Sequence, residues 1–346
     1  MHVAHVTSRL MTVSLLAAVM AVRLRAQAAS SSGAAYVSGK AEAGDFPLSV
    51  NGRPAALYVS AQDFAGVRRA ATALRGDIGR VTGTEPPISM DSTPPGATAV
   101  IIGTLGRSPV VDNLVHARKL DVSGVAGHWE SYVIEVVPNP LPGVSQALII
   151  AGSDKRGTIY GIYDLAARIG VSPWYWWADV PVRHERNLFV RRGRYAQGEP
   201  AVKYRGIFIN DEAPAFSGWT REKFGGVNHA VYEKVFELIL RLKGNYLWPA
   251  MWGNAFADDD SLNAPLADEY GIVMGTSHHE PLTRAQQEWR RYGHGRRDDA
   301  RHSGDVVGTD RDRRCCAIRK RPLPAKRWRR RSDPGKSVAD LHALAG

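Results

Sequence analysis

Residues 228–251 read NHAVYEKVFELILRLKGNYLWPAM, and the change of rhythm inside this stretch decides the fold. Val231, Val235, Leu238, Ile239 and Leu242 recur at steps of three and four, which places them on one stripe of a helix over 228–243. Asn228 is the expected N-cap, Glu237 and Arg241 the expected i,i+4 pair, and Gly244 the expected stop. Tyr246–Met251 then reads as a strand. Working outward, Gly206–Asn210 is a strand followed by a polar loop, Ala264–Tyr270 a shorter helix, and Ile272–Thr276 a third strand. Strand, helix, strand, helix, strand with short links is the opening of a parallel β/α array.

Upstream, from about residue 45 to 200, a different α/β domain is expected. Ala56–Ser60 and Ala99–Gly103 read as strands, and between them Phe64, Val67, Ala71, Leu74, Ile78 and Val81 share a helix face, making a β-α-β unit. Tyr132–Val137 and Ala147–Ala151 are two more strands across the turn Pro138–Gly143, and Gly157–Ile169 a helix with Ile159, Ile162, Ala166 and Ile169 inward. The fold class is therefore α/β: an N-terminal α/β domain (45–200) followed by an incomplete (β/α)8 TIM-type barrel (201–295).

The 346 residues carry 45 Lys/Arg against 34 Asp/Glu, a formal +11. Residues 290–346 hold 17 of those bases and only 7 of the acids, so the preceding 289 residues are nearly neutral. The basicity belongs to the tail, as do Cys315 and Cys316, and no glutamate follows Glu288. Two adjacent cysteines form no disulfide framework, and a 44% hydrophobic composition excludes disorder, collagen and coiled coil. At the other end Leu10–Val22 is an apolar run too short to span a bilayer. Arg9 precedes it and Ala26-Gln27-Ala28 follows in small-x-small form, so residues 1–28 read as an export signal, with 29–44 as linker. A secreted or periplasmic protein, with no membrane association after signal cleavage, is expected.

Each strand of the array runs into unusual chemistry, and in a β/α barrel reactive groups sit at the carboxyl ends of the strands. The first leads to Asn210-Asp211-Glu212, the second carries Trp248 and Trp252, and the third leads to His278-His279-Glu280. Taken singly, each has a structural reading: a solvated loop, core aromatics, a helix-entry histidine. Together they match a sugar site, in which tryptophan stacks on the pyranose face, polar groups bond its hydroxyls and a carboxylic acid protonates the leaving oxygen. Adjacent histidines lack the i,i+4 spacing of a helical zinc motif, and Gly103-Thr104-Leu105-Gly106 lacks the rest of a nucleotide fingerprint, so neither metal nor cofactor is expected. Asp154-Lys155-Arg156 closes the last strand of the N-terminal domain; a meeting with an acidic sugar and a structural salt bridge are both open there.

Four segments, AGSDKRGTIYGIYDLAARIGVSPWYWWADV (151–180), YRGIFINDE (204–212), GNYLWPAMWG (244–253) and DEYGIVMGTSHHEP (268–281), resemble glycoside hydrolase family 115, the xylan α-1,2-glucuronidases. The resemblance covers roughly residues 45–295. It implies inverting hydrolysis that removes (4-O-methyl)glucuronic acid from xylan or glucuronoxylan. Asp211 is the expected catalytic carboxylate, acting as acid, base or hydroxyl ligand. Asn210, Glu212, Trp248, Trp252, His278, His279, Asp154, Lys155 and Arg156 are the expected substrate-binding residues. Nucleic acid is not an expected partner, and a homodimer of intact relatives is compatible with the family. After about residue 295 the match stops, and residues 296–346 read as a basic, out-of-frame tail. The expectation is of a truncated, inactive copy; the alternatives are a non-catalytic carbohydrate-binding fragment and a basic polyanion-binding protein.

Overall fold

Ala99–Ile102 and Ala147–Ala151 are unbroken apolar runs, the composition of strands covered on both faces. In the computed structural model they become β6 (Thr98–Thr104) and β8 (Val144–Gly152), at the centre of a six-stranded sheet. With β4 (Ala56–Val59), β5 (Ile88–Ser89), β7 (Tyr132–Leu141) and β10 (Arg194–Gln197) the order is β10-β7-β8-β6-β4-β5. β5, β4, β6 and β8 are parallel, and β7 and β10 join antiparallel. The structure describes residues 36–90, 94, 96–275 and 286–292. The expected export signal, His278, His279 and the basic tail lie outside the described residues. The chain divides into two units, Met1–Arg205 with Leu240–Gly244, and Gly206–Ile239 with Asn245–Gly346.

In the first unit, helix α1 (Ala65–Thr82) buries Val67, Ala71, Leu74, Ile78 and Val81, the stripe read from the sequence, and ends on Gly83 at φ 82°. Phe64 stands just before the helix rather than on its buried face. On one sheet face, Val110, Val111 and Leu114 of α2 (Pro109–His116) share an apolar cluster with Tyr58, Ala99, Ile101, Val133, Ala147 and Ile149. Helix α3 (Lys155–Arg168) is buried almost all round, and Gly161 permits this, since a Cβ there would come 2.8 Å from the Ile150 side chain. Each such Leu or Ile removed from water contributes about 1.5–3 kcal/mol. The expected turn Pro138–Gly143 is shorter than its Pro/Gly content suggested: β7 runs on to Leu141, which pairs with Val144, and only Pro142 and Gly143 turn.

A second, antiparallel sheet of this unit, β1 (Val37–Ser38), β9 (Leu188–Val190), β2 (Phe46–Val50) and β3 (Arg53–Pro54), was not legible. Its strands are two to five residues long, too short for an alternating pattern to show. The same unit buries a charge. Asp77 is fully covered, accepts from Arg241 Nη2 at 2.8 Å and from Arg80 Nη1 at 3.1 Å, and Arg241 lies 4.5 and 4.9 Å from the ring centres of Tyr163 and Tyr175. Lys243 donates to Asp164, the Tyr132 hydroxyl and Gln197 at 2.9, 2.8 and 2.6 Å.

The second unit is built on three parallel strands, β11 (Gly206–Phe208), β12 (Tyr246–Trp248) and β13 (Val273–Met274), in that order. Helix α5 (His229–Arg241) follows the expected stripe, with Val231, Val235, Leu238 and Ile239 buried and the Asn228 side chain accepting from Ala230 N at 3.0 Å. It stops two residues early. Lys243, not Gly244, takes the left-handed backbone at φ 58°, so Leu242 leaves the stripe and is 46% exposed. The expected polar loop after β11 contains a helix, α4 (Ala215–Phe224), closed by Gly225 at φ 78°. Three more helices, α6 (Phe256–Asp259), α7 (Asn263–Tyr270) and α8 (Gln286–Tyr292), complete the described residues.

Two outcomes are expected from the first unit. Arg241→Met leaves Asp77 buried with less compensation and lowers stability by about 3 kcal/mol, whereas Arg241→Met with Asp77→Leu recovers most of that loss in urea unfolding. Asp63, buried after β4, has its carboxyl pushed up from the usual range by desolvation, against the hydrogen bonds that lower it. Its ionisation therefore costs more in the folded than in the unfolded chain. The stability it contributes is present in full below the unfolded carboxylate pKa of about 3.9 and is lost as pH rises through the folded value. The stability difference between wild type and Asp63→Asn must accordingly fall with pH above about 4; a flat or rising difference contradicts this.

Candidate functional site

β12 is the axis of the candidate site because its neighbours leave room for it. A Cβ on Gly206 would strike the Tyr246 carbonyl, and one on Gly275, just past β13, would strike the Tyr246 hydroxyl and crowd Trp248. Side chains two apart on a strand share a face, so Tyr246 and Trp248 stand together; the Trp248 indole donates to the Tyr246 hydroxyl. Phe208, paired with Trp248 across the ladder, meets it edge-on at 5.7 Å between ring centres.

At the carboxyl ends of β11 and β12 the expected residues come together in part. Ile209 N donates to Trp248 O at 3.0 Å, extending the ladder by one bond and delivering Asn210, Asp211 and Glu212 to the strand end. Asp211 is fully buried. Its Oδ2 accepts from Trp252 N at 2.9 Å and Asn254 Nδ2 at 2.7 Å, so one carboxylate oxygen holds the loop after β12 against the end of β11. Its Oδ1 has no hydrogen-bond partner among the described residues. Asn210 and Glu212 are exposed, and Trp252 is 48% exposed. Asn254 was missed by sequence reasoning; its signal is a side-chain amide two residues after an exposed tryptophan.

The tripeptide of the first unit sorts differently. Asp154 caps α3, accepting from Gly157 N at 2.7 Å, and its other oxygen accepts from Glu130 N at 3.0 Å. Arg156 pairs with the buried Glu130, which Arg205 also meets, and lies 4.5 Å from the Trp129 ring centre. For Arg156 the salt-bridge reading of the loop describes what is seen, while Asp154 is a helix cap bonded to backbone amides. Lys155 instead points to Phe64, 5.5 Å from the ring centre. Among the described residues no group of three His, Cys, Asp or Glu is placed to hold a metal ion, and no helix is long and apolar enough to cross a membrane.

Residues 197–307 match the model of glycosyl hydrolase family 115. Among solved structures, the chain is similar to BtGH115A, described as a family GH115 4-O-methyl-α-glucuronidase with specificity for decorated arabinogalactans. Identity is 32% and the TM-score 0.65, over 76% of this chain and 34% of that one. The chain thus spans about a third of that relative's length. CpGH84D (10% identity, TM-score 0.37, 69% of this chain and 42% of that one) and the GH20 β-N-acetylhexosaminidase of Streptomyces coelicolor A3(2) (11%, 0.39, 67% and 43%) are too distant to carry an argument. No curated protein matches the chain. The matched motifs are those that build the three parallel strands and their polar ends, and on that agreement the chain belongs to glycoside hydrolase family 115.

Proposed function

We propose that β11, β12 and β13 open a (β/α)8 glycosidase barrel whose substrate is an α-linked (4-O-methyl)glucuronic acid side chain of a polysaccharide, removed by inverting hydrolysis. The observation that carries this is the meeting of Asp211, flanked by Asn210 and Glu212, with the Trp248–Trp252 segment at the carboxyl ends of parallel strands, the functional end of such barrels. The name of BtGH115A supports the uronate as the recognised unit. Its arabinogalactan specificity, set against the xylan expected from the motifs, makes the carrier polymer the variable part. Export through residues 1–28 to the periplasm or medium fits a substrate too large to enter a cell.

Within this reading the two neighbouring carboxylates divide the work. Asp211, buried and bonded to two donors in the next loop, is a positioning residue that fixes Trp252. Glu212 is the exposed carboxylate beside it and faces the substrate. His278 and His279 are proposed as further polar groups of the same end. An inverting reaction needs an acid and a base about 6.5–9.5 Å apart with water between, drawn in a barrel from several of eight strands. Among the described residues, three strands and the loop that carries Asp211 and Glu212 do not by themselves identify that pair, and binding without turnover is proposed for these 346 residues.

Two measurements test the proposal. Asp211→Asn keeps one carbonyl oxygen for two donors; it lowers stability by about 1–2 kcal/mol and speeds hydrogen exchange at the Trp252 amide about tenfold. Unchanged exchange there removes the positioning role. Incubation with glucuronoxylan and with glucuronidated arabinogalactan yields no free uronic acid but quenches tryptophan fluorescence. Release from either polymer overturns the inactivity of this chain, and no response to either overturns the sugar reading.

A further inference from the structure

The segment after β12 carries the exposed Trp252, and its only helix, α6 (Phe256–Asp259), is a single turn. Nucleating one turn is unfavourable, so α6 depends on what surrounds it. Its last two residues and the next are Asp258, Asp259 and Asp260, three successive carboxylates at the end of a helix where its dipole disfavours negative charge. Other elements of the second unit grip the segment. At its start Asp211, after β11, accepts from Trp252 N and Asn254 Nδ2. On its inner side the Phe256 ring meets Tyr232 of α5 edge-on at 4.8 Å between ring centres, and Asn263 Nδ2 of α7 donates to Phe256 O at 2.7 Å. At its far end Asp260 Oδ2 accepts from His229 N at 3.0 Å and lies 2.6 Å from His229 Nδ1.

Asp258 and Asp259 share an anchor. Arg291 of α8 donates from Nη1 to Asp258 Oδ2, and from Nη2 to Asp259 Oδ1 at 2.7 Å. One guanidinium thus spans two neighbouring carboxylates from 32 positions further along the chain. The Asp258 side chain is 4% exposed and that of Asp259 23%, against 37% for Arg291. An open surface pair contributes little, but removing the cation from covered carboxylates leaves them with less compensation. Asp259 also links this anchor to the candidate site. Its Oδ2 accepts from the amide of the fully buried Ala255 at 2.6 Å while its Oδ1 takes Arg291. The line of bonds therefore runs from Arg291 through Asp259 to Ala255, the neighbour of Asn254, and on to Asp211 and the Trp252 amide. A planar fork serves two acceptors at fixed spacing, which a single ammonium on a flexible stem does not.

We propose that Arg291 is a positioning residue for the sugar: by clamping Asp258 and Asp259 it holds the Trp252–Asn254 segment in the geometry that meets a uronic acid. The sugar in this statement rests on the function proposed above, the clamp does not, and two measurements on the full chain separate them. In Arg291→Ala, hydrogen exchange at the Ala255 amide quickens about tenfold, while the amides of β6 and β8 keep their rates. Arg291→Lys gives a smaller change in the same sense, and decides the matter if the alanine variant does not fold. Unchanged exchange at Ala255 overturns the clamp. The second measurement is calorimetric titration with a xylo-oligosaccharide bearing one 4-O-methylglucuronic acid. Arg291→Ala weakens binding about threefold to tenfold and Arg291→Lys less, and the loss shrinks in a Trp252→Phe background, because both changes act on one contact. Undiminished affinity, or an equal loss in both backgrounds, overturns the positioning role. If the wild-type chain does not bind this oligosaccharide while Ala255 exchange still responds to Arg291→Ala, the uronate reading falls and the clamp stands.

Discussion

Where parallel strands end, backbone N–H groups lose their ladder partners, and in this chain aspartates take them. Asp63 after β4 holds the end of β6 through Thr104 N, and Asp154 after β8 holds both the start of α3 and Glu130 N just before β7. In the second unit Asp211 after β11 holds Trp252 N after β12, and Asp260 holds His229 N at the start of α5. A buried donor left unpaired costs about 1–3 kcal/mol, so a carboxylate that accepts from two or three donors satisfies a loop at the cost of its own desolvation, which at Asp63 outweighs the hydrogen bonds in setting its ionisation. The same device that ends a strand cleanly also fixes the loop that follows, and loops at these ends are where barrels and open sheets keep their chemistry.

Much of this was legible in the sequence because the longer elements are self-consistent. The α1 and α5 stripes and the apolar runs of β6 and β8 each repeat their signal several times over, so one deviant residue does not mislead. The failures came where one residue carried the decision. Gly244 looked like the helix stop, yet Lys243 takes the left-handed backbone, and three acceptors hold its ammonium. No local pattern announces such an anchor. Helix α4 was hidden because it buries little more than Thr220 and so shows no apolar stripe; its aromatics Phe216, Trp219 and Phe224 instead pack on one another.

The candidate residues divide along the same line. Sequence proximity grouped Asp154, Lys155 and Arg156, but successive residues at a helix start point in different directions, and the three serve as a cap, a surface cation and a salt-bridge partner. Asp211 and Glu212 are likewise adjacent in sequence and opposite in environment, one fully covered and one in solvent. Motif recognition finds such neighbours together, and burial then tells them apart.

The packing of Gly206 and Gly275 around Tyr246 has an evolutionary consequence. A side chain at Gly275 requires a smaller residue at Tyr246, whereas one at Gly206 meets the Tyr246 backbone carbonyl and requires a displaced strand whatever residue stands at 246. Gly275 and Tyr246 therefore constrain one another as a pair, while Gly206 is held by the backbone alone. Among descendants, loss of the aromatic should free position 275 to vary and leave position 206 a glycine.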